Sequence, residues 1–376
     1  MQIPRFELER WQSVWENFVE LNISESGVNP FTLRELLENS SEPEQELAQL
    51  MDARLGYPQT DGGESLRARV AALYPGAQAQ NVLVTCGCAE ANFLAAWGLL
   101  AAGDEAIILQ PNYMQIAGVA GACGAMVRPL WLREELGWLP DLDELRQMIA
   151  PRTKLIAVCN PNNPTGAVLS EETITGICMI AAQCGAWVLA DEVYRGAELE
   201  GDLTPTFWGR GERIICNAGM SKAYGLPGLR IGWIVAPAAQ IEQFWSAKDY
   251  TTIGVSMLSH KIAEFVLAPR QRARIFARTR RILRENYPTL REWLGGHGAS
   301  LRHIPPRAGA IAWIGYSGGR KSEDIAEELR AQKRTLIVPG AHFGMEGFLR
   351  IGYGYDRQHL ADALARLDEV MYGKIC

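Results

Sequence analysis

The sequence predicts an α/β protein: a mostly parallel sheet sandwiched by helices, with a smaller α+β domain. Three observations support this prediction. Between about residues 80 and 235, short apolar or β-branched runs alternate with helix-like stretches, the pattern of a parallel sheet buried on both faces. After Pro269 the pattern changes to a long arginine-rich helix followed by short strands and two more helices. The chain has 376 residues, enough for two packed units.

The elements follow in order along the chain. The strands of the large sheet are predicted at residues 81–85, 105–109, 155–159, 187–190, 214–217 and 231–235, with a helix at 89–100. In the second unit we predict strands at 310–314, 335–338 and 348–352, and helices at 322–332 and 357–371. These patterns predict a large domain of residues 50–280 and a small domain built from residues 1–49 and 281–376.

Composition and charge restrict the possible partners. Hydrophobic residues make up 48% of the chain and charged residues 21%, as in ordinary globular proteins. The net charge of −6 argues against a nucleic-acid partner, because phosphate binding requires a basic face. The basic run at 270–284 is interpreted as the solvated face of a helix whose buried side carries Ile275, Phe276, Ile282 and Leu283.

The cysteine pattern and the N-terminal sequence indicate the cellular compartment in which we expect the protein. Eight cysteines occur without a CxxC pair, and Cys86 and Cys88 have a spacing that suits zinc poorly. We therefore expect no metal site and reduced, buried thiols, which implies a reducing compartment. Residues 1–16 contain no apolar signal core, and no window approaches eighteen uninterrupted apolar residues. The expectation is a cytoplasmic protein without a membrane span.

Lys222 is the most informative single residue. It lies in a stretch rich in small residues and glycine, directly after Ser221, and Arg230 follows eight positions later. A lysine that acts as a nucleophile needs a site that favours its neutral amine, and a nearby arginine helps while also holding an anionic group. A surface lysine in a loop is the alternative explanation, and the lysine alone does not exclude it.

Three further segments follow predicted strands at their carboxyl ends, where open α/β sheets bind ligands. Residues 86–89 lead directly into a helix, whose first N–H groups can meet an anion, although a tight turn would explain them equally well. Residues 160–166 place three asparagines between two prolines, which make the loop rigid. Residues 191–194 place an acid at a strand end and Tyr194 three residues later; a helix N-cap is the alternative for the acid.

Together these segments resemble a known family. Residues 163–166, residues 191–194, Ser221 and Lys222 with Arg230, and Arg350 in the run 349–352 occur in this order. In this combination the chain resembles the class I/II aminotransferases, the fold-type I enzymes of pyridoxal 5′-phosphate (PLP), over nearly its whole length. The resemblance implies the PLP-transferase large domain and a homodimer with shared active sites.

The resemblance also implies a role for each matching position. Lys222 would form the internal aldimine with PLP and move a proton, Asp191 would pair with the pyridine nitrogen, and Tyr194 and Asn163 would bond the ring oxygen. Arg350 would bind the substrate carboxylate, and the backbone of Gly27 would lie near the substrate. The remaining cofactor-binding positions are a stacking aromatic residue, the phosphate ligands and a tyrosine that reaches the neighbouring subunit: Tyr113, Cys88, Ala89, Ser221, Arg230 and Tyr57.

Two departures from the family pattern leave the reaction open. Gly219 stands where many relatives have a serine, so one hydroxyl is missing from the expected phosphate site. The opening at residues 24–28 places Glu25 where a substrate side chain could lie, or else in a solvated loop. A similar opening is associated with enzymes resembling capreomycidine synthase, which eliminate and cyclise.

Three hypotheses follow for the function. The first is transamination between an amino acid and a 2-oxo acid, and the second is a PLP-dependent lyase or cyclase reaction on an amino acid with a β- or γ-leaving group. The third, a sensor domain of a regulator, is disfavoured because the chain has no spare segment for DNA binding and keeps both Lys222 and Asp191. The substrate side chain follows no readable motif.

Overall fold

The computed structural model describes residues 2–38, 40 and 42–373; Met1 and Cys376, which entered the sequence analysis, lie outside that part. The strands are β1 (Leu21–Asn22), β2 (Val82–Thr85), β3 (Glu105–Gln110), β4 (Met126–Trp131), β5 (Thr153–Cys159), β6 (Trp187–Asp191), β7 (Ile214–Gly219), β8 (Gly232–Val235), β9 (Leu301–His303), β10 (Ile311–Tyr316), β11 (Thr335–Leu336), β12 (Val338–Pro339) and β13 (Phe348–Gly352). The helices are α1 (Glu7–Trp15), α2 (Leu33–Glu38), α3 (Pro43–Met51), α4 (Glu64–Ala71), α5 (Gly87–Leu99), α6 (Gln115–Ala122), α7 (Leu142–Met148), α8 (Glu171–Cys184), α9 (Ala238–Lys248), α10 (Met257–Val266), α11 (Pro269–Gly296), α12 (Ser322–Lys333) and α13 (Arg357–Tyr372).

The large sheet has seven strands in the order β2-β8-β7-β6-β5-β3-β4. β8 runs antiparallel to both neighbours, and the other pairs are parallel, which confirms the predicted mostly parallel sheet. The six predicted strands correspond to β2, β3 and β5–β8. The sequence analysis missed β4, which is an edge strand with mostly half-buried or exposed side chains, so it shows no continuous apolar run.

Helices cover both faces of this sheet. Successive side chains of a strand point to opposite faces, so neighbouring residues of one strand pack against different helices. Leu83 packs in the layer that contains Leu94 of α5 and Phe244 of α9. Its neighbours Val82 and Val84 pack in the other layer, which contains Ile177 of α8. Both faces of the sheet are therefore buried, and a ligand would have to bind at the ends of the strands.

Local signals explain where several helices begin and end. The Ser170 side chain accepts a hydrogen bond from the Thr173 N–H and caps α8, and Gly185, with φ of +70°, ends that helix. Asp356 caps α13 in the same way through the N–H of His359. The arginine-rich α11 buries Ile275 and Leu283 and partly buries Phe276 and Ile282, which confirms the predicted solvated face.

The second unit is an antiparallel sheet in the order β12-β13-β10-β9. The predicted strand at 335–338 is instead two short strands, β11 and β12, in different sheets. β1 pairs in parallel with β11, so the N-terminal segment joins this unit. The proposed boundary at residue 280 falls inside α11, and the domain division remains a prediction. Among the described residues, no helix is long and apolar enough to cross a membrane.

Candidate active site

A cleft of about 330 Å³ lies at the carboxyl ends of the parallel strands, between the large sheet and the second unit. α1 forms one wall, and β13 contributes Arg350. The cleft brings together ten of the residues that the sequence analysis singled out for a site: Cys88, Ala89, Tyr113, Asn163, Asp191, Tyr194, Ser221, Lys222, Arg230 and Arg350.

The start of α5 is suited to an anion. β2 ends at Thr85 and the helix begins at Gly87, whose φ is +81°. A Cβ at Gly87 would lie 2.4 Å from Nη2 of Arg230, so the guanidinium rests against the glycine backbone. The first N–H groups of a helix, here including Cys88 and Ala89, have no partner within the helix. Together with the helix dipole and Arg230 they fit a phosphate.

The structure explains why position 219 is a glycine rather than the serine of many relatives. A Cβ at this position would lie 2.9 Å from the carbonyl oxygen of Ile231 and 3.3 Å from the Cys88 nitrogen. A Cβ at Gly232 would lie 2.4 Å from the same nitrogen. The ends of β7 and β8 thus press directly on the start of α5, and a serine at Gly219 would force the backbones apart.

Lys222 follows β7 and projects into the cleft with 26% of its side chain exposed. Its Nζ lies 3.8 Å from Oε2 of Glu25. A Cβ at Gly27 would lie 3.3 Å from the Ser221 carbonyl oxygen and 3.7 Å from Cδ of Lys222. The backbone of Gly27 therefore packs against Lys222. The resemblance implied that this backbone lies near the substrate.

Asp191 is a buried carboxylate at the end of β6 with several donors around it. Oδ2 accepts from Nδ2 of Asn92 at 2.8 Å, and Oδ1 accepts from the Val193 N–H at 3.1 Å and from the Cys88 thiol at 3.5 Å. Burial raises the pKa of Asp191, and these hydrogen bonds oppose that rise. Such a carboxylate fits a protonated ring nitrogen, which would supply the missing counter-charge.

The sequence analysis missed Asn92, although a signal was present. It is an asparagine between Ala91 and Phe93 in a helix that is otherwise mostly apolar. A buried amide in such a position requires hydrogen-bond partners. The residue that it contacts, Asp191, could not be read from that pattern.

Tyr113, Tyr194 and Asn163 lie in the cleft but bond to other side chains of the protein. The Tyr194 hydroxyl donates to Oγ of Ser26 at 2.9 Å, and the Tyr113 hydroxyl donates to Oε1 of Glu9 at 2.6 Å. Burial raises the pKa of both tyrosines, so they remain phenols that can donate. Ser26 and Glu9 were not predicted as site residues: Glu9 belongs to no recognisable motif, and in the opening at residues 24–28 only Glu25 and Gly27 were singled out.

Arg350 is fully enclosed, with 1% of its surface exposed. Its Nη1 donates to Oδ1 of Asn163 at 3.0 Å and its Nη2 to the Ser24 carbonyl oxygen at 2.5 Å. Within the described part of the chain, its Nε has no hydrogen-bond partner. A buried donor without a partner is costly, and Arg350 lines the cleft.

Three carboxylates from the N-terminal segment line the cleft together: Glu9, Glu16 and Glu25. Burial raises the pKa of Glu16, and the charges of Glu25 and Glu9 raise it further. The positive charge of Lys222 lowers the pKa of Glu16. This part of the cleft is therefore an acidic wall, a term used below for these three residues.

Tyr57 is the predicted cofactor ligand that lies outside the cleft. Its side chain is exposed to 84%. The resemblance assigned it to the phosphate site of a neighbouring subunit, and within one chain that role stays a prediction.

The other site residues fit PLP together. The anion site at α5 and Arg230 suits its phosphate, buried Asp191 suits its ring nitrogen, and Lys222 lies in the same cleft as both. The guanidinium of Arg350, which lines the same cleft, suits a substrate carboxylate.

Known proteins agree with this interpretation. A family model described as aminotransferase class I and II matches residues 19–367. Capreomycidine synthase of Streptomyces vinaceus is 34% identical, with 98% of this chain and 94% of that protein covered. The solved structure of a PLP-dependent aminotransferase from Streptococcus suis 89-1591 has a TM-score of 0.93 and 32% identity, covering 99% of this chain and 98% of that one. The PLP-dependent cyclase OrfR, solved in complex with Au, has a TM-score of 0.88 and 28% identity, with 98% and 97% covered.

Proposed function

The chain belongs to the class I and II aminotransferases, with PLP as cofactor, and we propose that it transfers an amino group between an amino acid and a 2-oxo acid. The observation that carries this proposal is the cleft in which Lys222, Asp191 and Arg350 meet although they come from three separate elements of the chain. PLP supplies an electron sink for the negative charge that develops on the substrate Cα.

Each of these residues then has one task. Arg350 binds the substrate carboxylate through the N–H groups of its guanidinium that remain free, and Asn163 and Ser24 hold the guanidinium in place. Lys222 takes the proton from the substrate Cα and returns it. Asp191 keeps the ring nitrogen protonated. α1 covers the cleft and excludes water from the carbanion.

The acidic wall supports a substrate with a cationic side chain. Three carboxylates that face one cleft repel one another: burial is the main reason that the pKa of Glu16 is raised, and the charges of Glu25 and Glu9 raise it further. A cation in the cleft would remove this repulsion. With the α-carboxylate on Arg350, the proposal places the substrate side chain against these carboxylates.

A half-reaction tests the proposal. The purified holoenzyme is mixed with arginine, ornithine or lysine, and with citrulline, norleucine and glutamate as neutral or anionic controls, without a 2-oxo acid. Transamination predicts a change in the absorbance of the bound cofactor and at most one 2-oxo acid released per site. Continued turnover without an acceptor would contradict it. A preference for citrulline or glutamate over arginine would contradict only the cationic side chain.

A PLP-dependent lyase or cyclase, acting on an amino acid with a β- or γ-leaving group, is the second candidate. It is favoured by the similarity to capreomycidine synthase along nearly the whole chain and to the cyclase OrfR. The Glu25 carboxylate lies 3.8 Å from Nζ of Lys222 and is a second group, besides that lysine, that could move a proton. It would act at the side-chain carbons of the substrate. Turnover without an acceptor would identify this candidate in the same assay.

We further propose a cytoplasmic homodimer. Met51, Leu55 and Tyr57 are exposed to 78%, 79% and 84%, an apolar surface that a second copy of the chain would cover. All cysteines in the described residues are free, which suits a reducing compartment.

A further inference from the structure

Two buried asparagines continue from Asp191 into the interior of the large sheet. Asn92 of α5 donates from Nδ2 to Oδ2 of Asp191 at 2.8 Å. Asn217 of β7 donates from Nδ2 to Oδ1 of Asn92 at 3.0 Å. Asn92 is 2% exposed and Asn217 0%. The three side chains form an asparagine relay, Asn217 to Asn92 to Asp191, that runs behind the cleft.

The carboxylate on one side and the NH₂ group of Asn217 on the other favour the same orientation of the Asn92 amide. An asparagine amide can turn by half a rotation and exchange its oxygen with its NH₂ group. With the oxygen of Asn92 held by Asn217, the NH₂ group is the end that faces Asp191. The reverse orientation would place an amide oxygen against a carboxylate and an NH₂ group against the NH₂ of Asn217.

Because of the hydrogen bond from Asn92, each carboxylate oxygen of Asp191 has its own hydrogen-bond donors. Oδ1 of Asp191 is held by the Val193 N–H and the Cys88 thiol, while Oδ2 is held by Asn92. Without Asn92, the carboxylate could rotate about its Cβ–Cγ bond. The carboxylate would then lose the fixed direction that pairing with a ring nitrogen requires.

We infer that Asn92 is a positioning residue for Asp191, and that Asn217 acts only through Asn92 by orienting its amide. The inference rests on the assignment of Asp191 to the cofactor ring nitrogen. It does not depend on whether the cofactor then serves transamination or cyclisation, so its test measures cofactor binding rather than turnover.

The test uses Asn92→Leu, which keeps the side-chain volume and removes the donor, with Asn217→Leu and the double variant. The PLP dissociation constant and the pH titration of the bound-cofactor absorbance are measured for each. Asn92→Leu is expected to raise the dissociation constant about 10- to 100-fold, the loss typical of a hydrogen bond to a buried charge. It should also shift the absorbance titration. Asn217→Leu is expected to have a smaller effect in the same direction.

The double variant separates the relay from two independent contacts. If Asn217 acts through Asn92, the double variant binds PLP no more weakly than Asn92→Leu. Additive losses would overturn the role of Asn217, and an unchanged dissociation constant and titration in Asn92→Leu would overturn the role of Asn92.

A matched control and a second variant keep the test decisive. Asn286 is also a buried asparagine, and it donates to the carbonyl oxygens of Tyr353 and Tyr355. Asn286→Leu should lower thermal stability and leave the absorbance titration unchanged; an equal shift there would make the effect merely structural and contradict the inference. If Asn92→Leu does not fold, Asn92→Ser, whose hydroxyl is too short to span to Asp191, is expected to show the same two changes.

Discussion

Replacing Arg350 by lysine keeps the positive charge in the cleft and removes the planar fork. In the structure, Nη1 donates to Asn163 and Nη2 to the Ser24 carbonyl oxygen, and each of these two nitrogens keeps a second N–H. A lysine has a single nitrogen, which cannot satisfy these two acceptors and bind a carboxylate in the bidentate way at the same time. Arg350→Lys should therefore weaken substrate binding while leaving the cofactor in place.

The structure sets the size of this effect. The substrate carboxylate loses one of two charge-assisted hydrogen bonds, worth about 1.5–3 kcal/mol, which corresponds to a rise of about 10- to 150-fold in the amino-acid dissociation constant. Arg350→Ala should have a larger effect, because it also leaves Oδ1 of Asn163 without its donor. Among the expected PLP ligands Arg350 contacts Asn163 alone, through Nη1, so the PLP dissociation constant should rise less than the amino-acid dissociation constant.

The assay is a titration of the holoenzyme with an amino acid, followed through the absorbance of the bound cofactor. A separate titration of the apoenzyme with PLP gives the cofactor dissociation constant. Equal losses of amino-acid and PLP binding in Arg350→Lys would refute the carboxylate role. An unchanged amino-acid affinity would refute it as well.

The remaining predictions concern the nucleophile, the pH dependence and the dimer. Lys222→Ala should abolish turnover and the absorbance of covalently bound cofactor, whereas the exposed Lys321→Ala should change neither; turnover in Lys222→Ala would contradict the assignment. Burial, with Arg350 and Arg5 nearby, lowers the pKa of His342 to about 4. Between that value and about 6.5 only the unfolded chain binds this proton, so the free energy of unfolding should fall by up to about 3 kcal/mol as the pH drops through this window. In His342→Asn, urea unfolding at pH 7 and pH 4.5 should show a smaller fall; an identical fall would remove the histidine from the explanation. Light scattering should give the mass of two chains, and Tyr57→Phe should raise the PLP dissociation constant about tenfold; the mass of a single chain would contradict the shared site.

The central sheet, and the cleft in which the candidate site residues meet, were predictable because their signals are local. Continuous apolar runs such as that of β5 are buried on both faces, and the chain order of strand, turn and helix requires a parallel sheet. A parallel sheet brings the carboxyl ends of its strands to one edge, so Asp191 and Lys222 meet there although they lie far apart in the chain. Edge strand β4 lacked that signal, because much of its surface faces solvent.

The sequence by itself determined the family, the cofactor and the residues that follow the strands. Only the tertiary structure decided what surrounds them: Asn92 behind Asp191, Ser26 against Tyr194, and the acidic wall in the same cleft as Arg350. α1 reaches the cleft through distant contacts, including the Trp11 indole N–H on the Ile337 carbonyl oxygen. A local pattern sets the period of a helix and its apolar face. It does not say which remote surface that face will cover, because that choice depends on packing across the whole chain.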